Sequence, residues 1–247
     1  MLKLLLPFIA ALTFIQQDDT NSEKVLKQMY DRYSGKWYHT FTFVQKTENF
    51  KNDSLVKTST WYEAIMFPDK FRIDFGDLKN GDAVIFSNDS AYNFRGGILK
   101  SATADNNDLT FLLGGLYFYP FDKAIAQVKA LHYDLNKFHT DTWDKKPVYV
   151  IGANTNDEKA NQLWIDKQKM VVVRFIKYDD NRKEEGILED QQKFAGGWSE
   201  MKATFYINDK LVQKEYYQEC NANGDIDPKI FLPSEFGKLH WYKESMK

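Results

Sequence analysis

The chain has 247 residues, of which 16% are aromatic, and its 33 lysines and arginines nearly balance 35 aspartates and glutamates to give a net charge of −2. That balance argues against a nucleic-acid binder or a cationic membrane-surface helix, both of which need a basic excess. The length is ample for a sizeable core, and a single cysteine, Cys220, excludes an internal disulfide framework.

Lys3 precedes an apolar run at residues 4–15, which ends at Gln16, Gln17, Asp18 and Asp19. A short positive start, a short apolar core and a polar exit read as an export signal. A membrane-spanning helix needs roughly 20 residues, so an anchor is the weaker reading. No cysteine follows the run to carry a lipid. We therefore expect residues 1–16 to be a cleaved signal and residues 17–247 to form one exported, unanchored domain. An exported chain that must hold together by its core alone fits a bacterial periplasm.

Thr20 and Glu23 have capping-box spacing ahead of Val25, Leu26, Met29, Tyr30 and Tyr33, and Gly35 follows as a stop. The spacing predicts a helix over residues 21–34. The period then changes to 2 over residues 37–46, where Trp37, His39, Phe41, Phe43 and Gln45 share one face. An Asn-rich turn at residues 49–53 leads to a strand over 54–66, and Phe67-Pro68-Asp69 makes the next turn. Phe71, Ile73 and Phe75 alternate with polar residues. Residues 83–86 and 91–94 flank a tight Ser87-Asn88-Asp89-Ser90 hairpin.

The middle is helical. Asn107 and Asp108 cap a short apolar helix to Leu113, closed by Gly114-Gly115, and residues 121–131 carry Ala124, Ile125, Val128 and Leu131 on one side. Strands resume at 147–152, 162–166, 170–178, 186–194, 198–207 and 211–219. About ten strands in consecutive hairpin order, without a strand–helix rhythm, predict a mainly β, curved antiparallel half-barrel sheet with a short-helix lid.

Catalytic signatures are missing from the sequence. His39, His132, His139 and His240 have no close metal-ligand spacing. No serine occupies a Gly-x-Ser-x-Gly elbow, no glycine-rich loop opens a helix, and Cys220 has no histidine near it. These features predict no enzyme, no cofactor and no metal. What stands out is the aromatic phase: Phe41, Phe43, Tyr62, Phe71, Ile73, Phe75, Phe86, Tyr92 and Phe94, continued by Val173, Phe175 and Phe205. An ordinary core would give the same phase. A single curved sheet under short helices encloses space poorly, however, and rings rather than Leu and Ile dominate. Both features favour a cavity for a hydrophobic ligand, with Leu109, Leu112, Leu113, Ile125 and Val128 on the lid. The inward phase of residues 54–66 and 186–194 stays open, because a one-residue slip inverts the face.

The order of motifs resembles the LolA-like periplasmic lipoprotein carriers, in the outer-membrane lipoprotein-sorting branch. The resemblance runs over residues 21–235. It rests on Phe41-Thr42-Phe43-Val44-Gln45-Lys46, on Met66-Phe67-Pro68-Asp69-Lys70-Phe71-Arg72-Ile73-Asp74, and on Ala83 through Tyr92. Gln162-Leu163-Trp164-Ile165-Asp166, the strand through Arg174 and the terminal Phe231-Leu232-Pro233 complete it. It implies a monomeric carrier that shields lipoprotein acyl chains or another lipid, receives them from an inner-membrane exporter and yields them to an outer-membrane acceptor. It implies no nucleic-acid partner. The missing anchor cysteine favours the carrier over the acceptor. An envelope sensor domain on the same fold, binding a partner protein, is the alternative. One departure stands out: where the family carries an arginine before the turn proline as a lid latch, this chain has Phe67.

Overall fold

A computed structural model describes residues 20–105, 107–157 and 159–242. The expected export signal at residues 1–16 lies outside them. Helix α1 (Ser22–Tyr33) starts one residue later than the capping-box spacing implies. Asn21 is the N-cap, and its side chain accepts the Lys24 N–H at 3.0 Å. Val25, Leu26, Met29 and Tyr33 form its buried stripe.

Six strands follow in meander order: β1 (Thr40–Lys51), β2 (Ser54–Met66), β3 (Lys70–Phe75), β4 (Ala83–Ser87), β5 (Ser90–Arg95) and β6 (Ile98–Ala104). The helical insert contains α2 (Asp108–Leu112), a 3-10 turn over Gly115–Phe118 and α3 (Phe121–Ala130). The second half comprises β7 (Phe138–Trp143), β8 (Lys146–Ile151), β9 (Gln162–Asp166), β10 (Val172–Asp179), β11 (Arg182–Glu189), β12 (Gln192–Phe194), β13 (Gly197–Ser199), β14 (Lys202–Ile207) and β15 (Lys210–Ala222).

Thirteen strands make one open antiparallel sheet, in the order β6-β5-β4-β3-β2-β1-β15-β14-β11-β10-β9-β8-β7. The two halves of the chain join where β1 pairs with β15. The architecture is the expected curved half-barrel under a short-helix lid, with more strands than the ten the sequence suggested. Edge strands β6 and β7 escaped notice for a physical reason. Every residue of β6 is exposed, so it has no buried alternation to read. Residues 186–194 and 198–207 each break into two strands, with β12 and β13 pairing as a separate ribbon. Hairpin turns follow backbone chemistry closely. Asn52-Asp53, Asn88-Asp89 and Asn208-Asp209 all have positive φ at both residues, as a twisted two-residue turn requires.

Both faces of the sheet are covered, by different parts of the chain. The larger apolar cluster lies on the concave side and joins the sheet to α1, α2 and α3. The smaller one lies behind β2–β5, where Ile226, Ile230 and Phe231 pack on Ala64, Ala83, Ile85 and Phe94. Arg72 pins this C-terminal segment. Its guanidinium donates to both Asp74 carboxylate oxygens at 2.8 and 2.9 Å, and to the carbonyls of Ile230 and Leu239, each at 3.1 Å. His240 Nε2 stands 3.0 Å from Asp74 Oδ2. Burial pushes the Asp74 carboxyl up, but the hydrogen bonds from His240 and Arg72 outweigh it and hold its pKa below the usual value. Among the described residues no helix is long and apolar enough to cross a membrane, which says nothing about strands.

Candidate functional site: an aromatic cavity with an acidic end

Strand register determines which side chains meet inside the half-barrel. Phe41, Phe43 and Gln45 of β1 lie opposite Ile65, Glu63 and Trp61 of β2, which in turn oppose Phe71, Ile73 and Phe75 of β3. On the other side Gln45 opposes Tyr217 of β15 and Thr47 opposes Glu215. Glu215 opposes Ala203 of β14, which opposes Leu188 of β11. Side chains of paired residues share a face, so these rows form one continuous inner wall. The wall lines a partly open cavity of about 190 Å³, to which Leu109, Thr110 and Leu113 of the lid contribute the facing side chains.

Most of the wall is a chain of rings. Tyr38 stacks on Phe41 at 5.0 Å between centroids, Phe41 tilts against Phe43 at 5.5 Å, and Phe43 stacks on Tyr217 at 4.3 Å. Such offset and tilted pairs suit the ring quadrupole, and they build a rigid apolar surface with few rotamers to lose. Phe67, the residue before the turn proline, is buried under the lid. Its ring stacks parallel to Phe118 at 5.7 Å and lies 5.7 Å from Tyr38. Gly114 admits this ring, because a Cβ there would come within 2.6 Å of Phe67 and of Trp37. One ion pair adds to this apolar seat: Lys177 of β10 reaches Asp108 of α2 at 2.5 Å.

The predicted cavity residues divide by face. Phe41, Phe43, Phe71, Ile73 and Phe205 line the cavity, with Leu109 and Leu113 of the lid. Phe75 packs edge-on against Trp61 and Phe86 stacks on Phe71, so both extend the inner wall outside the cavity. Phe175 shares the inner face but stays outside the cavity lining, 6.4 Å from Phe205, with its ring filling the space over Gly186. Leu112 is buried beside Trp37 and Tyr117, while Val128 and Ile125 belong to the apolar cluster that joins α3 to the rest of the concave side. Tyr62, Tyr92 and Phe94 are elsewhere. They occupy the opposite face, where Phe94 stacks on Phe236 at 3.9 Å and Tyr62 tilts against Tyr242 at 4.6 Å. A bulge between Val172 and Arg174 re-aims Val173, which lines a second, wider groove beside Ile187, Thr204 and Lys214. That groove carries mixed charge, including Lys146, Lys169, Lys202, Asp166 and Glu189, and offers no continuous apolar wall.

Sequence reading missed the polar end of the cavity. Glu63, Glu200 and Glu215 line it together with Tyr217. All three glutamates are buried, and among the described residues none is paired with a lysine or arginine. Burial pushes the carboxyls of Glu200 and Glu215 up to about 7. Glu63 goes well above the usual carboxyl range, first through burial and then through the neighbouring charges of Glu215 and Glu200. Tyr217 Oη stands 3.2 Å from Glu200 Oε1 and 3.1 Å from Glu215 Oε2. A phenol has one proton to donate, so one of these contacts requires a protonated carboxyl as the donor. The signal for this end was present in the alternation. Glu63 falls in phase with Trp61 and Ile65, and Glu215 with Tyr217, so each acid occupies an inward position of an aromatic strand. Burial and then Glu200 push the Cys220 thiol up to about 12, which keeps it protonated near pH 7.

No protein-family model matches the chain, and no curated protein matches it by sequence. Solved structures do. A DUF1329 family protein from Desulfovibrio piger superposes with a TM-score of 0.60 at 12% identity, over 87% of this chain and 97% of that one. A domain assigned to outer membrane lipoprotein sorting from Vibrio parahaemolyticus gives 0.55 at 13%, over 87% and 99%. A LolA superfamily protein from Nitrosomonas europaea gives 0.52 at 10%, over 86% and 97%. At these identities the likeness is one of fold, and the chain adopts the LolA-like half-barrel with a short-helix lid.

Proposed function

We propose that this protein is an exported, periplasmic carrier, a single domain over residues 17–247 that binds acyl chains and shields them from water. Its cargo would be a lipoprotein acyl moiety or another lipid, taken from an inner-membrane exporter and passed to an outer-membrane acceptor. The observation that carries this reading is the ring-lined cavity between the concave sheet and the lid. Exposing an acyl chain to water costs about 0.8 kcal/mol per CH₂, so such a wall suffices for transport and needs no catalytic group.

The cavity volume also dictates how the carrier works. A void of about 150 Å³ holds a benzene ring, so 190 Å³ holds only a short segment of chain. Loading a full acyl chain requires the lid to move off Phe67 and Tyr38. Titration of the purified protein with a fluorescent acyl probe tests the reading. Saturable binding that a long-chain fatty acid displaces supports it. Absence of binding, together with absence of lipid in protein extracted gently from its host, would overturn it.

A further inference from the structure

The acidic end of the cavity leaves one buried carboxyl without a hydrogen-bond donor. Glu63 is 4% exposed; its carboxyl faces the cavity and has no hydrogen-bond partner among the described residues. Gln45, 1% exposed, has an amide beside the Glu215 carboxyl; its Nε2 is used on Thr47 Oγ1 at 2.8 Å, and its buried Oε1 is unpartnered. Donors directed at the cluster are the Tyr217 hydroxyl, Gln213 Nε2 at 2.5 Å from Glu215 Oε1, the Gln45 amide beside Glu215 and the Glu200 backbone N–H; none of them reaches Glu63. Of the three carboxyls, Glu63 alone meets the cavity with no donor. The remaining titratable groups beside the cluster, Tyr38, Tyr217 and Cys220, are all pushed upward in pKa and stay neutral near pH 7.

Buried acceptors without donors are costly, and an apolar carrier would be expected to present Leu or Phe at these positions. We propose that the acidic end binds a protonated amine, so that the cavity takes a long-chain amphiphile whose head bears an ammonium group. The chain would lie against Phe41, Phe43, Phe71 and Ile73, and the ammonium would donate to Glu63 and Glu215. An ammonium supplies three donors and a positive charge, which meets the unpartnered Glu63 carboxyl and balances the carboxylates that binding ionises. Binding it ionises carboxyls that are otherwise protonated, so the amine enters as protons leave. The proposal deepens the carrier reading and rests on it.

The test uses three probes of one chain length, below their micelle concentrations: decylamine, decanol and decanoate, titrated calorimetrically at pH 7.5. We expect decylamine to bind at least tenfold more tightly than decanol, and decanoate to bind weakest. Decylamine should release about half a proton or more per molecule, read from the dependence of heat on buffer ionisation, while decanol releases none. Glu63→Gln should cut the preference for the amine over decanol several-fold. Equal binding of amine and alcohol, or amine binding without proton release, would overturn the proposal and leave the carrier reading standing. An amine preference unaltered in a folded Glu63→Gln would also overturn it. If the variant does not fold, proton release by the unsubstituted protein decides. Failure of all three probes to bind would overturn the carrier reading itself.

Discussion

The ligand-free protein should lose stability as pH rises from 5.5 to 8, against the usual trend for carboxylate-rich proteins. The cause is the Glu63–Glu200–Glu215 cluster. In the unfolded chain these groups ionise near 4.5, and in the folded state burial raises Glu200 and Glu215 to about 7. Between those values the folded protein retains protons that the unfolded chain has released. The stabilisation is therefore complete below the unfolded pKa and declines as pH rises through the folded one. One carboxyl raised from 4.5 to about 7 represents about 3 kcal/mol in total. Roughly 2 kcal/mol of that falls between pH 5.5 and 8. We count one group only, since Glu200 and Glu215 share the Tyr217 hydroxyl and their contributions do not add. For a domain of this size, that corresponds to a fall in Tm of about 4–8 °C. Asp74 has the opposite sign, because its pKa is lowered, and it acts in acid below this window. Thermal unfolding followed by circular dichroism from pH 5.5 to 8 measures the effect. Glu63→Gln removes one acid without removing a hydrogen bond and should lessen the fall. A Tm that is constant or rising over this window would refute the reasoning.

Three further substitutions probe other parts of the structure. Asp74→Asn leaves the Arg72 guanidinium without its buried counter-charge and should cost about 3–5 kcal/mol, with hydrogen exchange rising first over residues 226–242. Asp108→Asn removes a half-exposed pair with Lys177 that is worth under about 1 kcal/mol. Global Tm should hardly change, while stopped-flow association of an acyl probe speeds up as the lid opens more often. Phe67→Ala empties the lid seat against Phe118 and Tyr38. Truncating a buried Phe costs about 3–5 kcal/mol, and faster probe dissociation should accompany the loss of stability.

How much of this was legible in the sequence depended on which faces are covered. Period-2 patterns located the central strands, because β1, β3, β4 and β10 each bury a face. The open half-barrel and its helical lid followed from hairpin order and from one helical insert. Edge strands β6 and β7 were hidden, because exposed residues alternate no differently from a loop. Phe41, Phe43, Phe71 and Ile73 fall inward as their phase predicts. Tyr62, Tyr92 and Phe94 point outward, since the segment at residues 226–242 gives the back of the sheet a second apolar cover. A reader who assumes one buried face assigns every ring to it. Val173 follows a bulge that local sequence does not announce. Glu63 and Glu215 were passed over although their phase was correct, because a charge on an aromatic strand reads as a solvated position until a neighbouring strand buries it.

Photolabelling tests the central claim most directly. A fatty acid with a diazirine in its chain, equilibrated with the purified protein and irradiated, should mark the cavity wall. Tandem mass spectrometry is expected to find adducts concentrated on peptides that contain Phe41 and Phe43, Phe71 and Ile73, Leu109 and Leu113, and Phe205. Unlabelled fatty acid should compete them away. Adducts confined to the exposed apolar residues at Leu55, Val56, Ile98 and Leu99, or adducts that no competitor removes, would contradict the account.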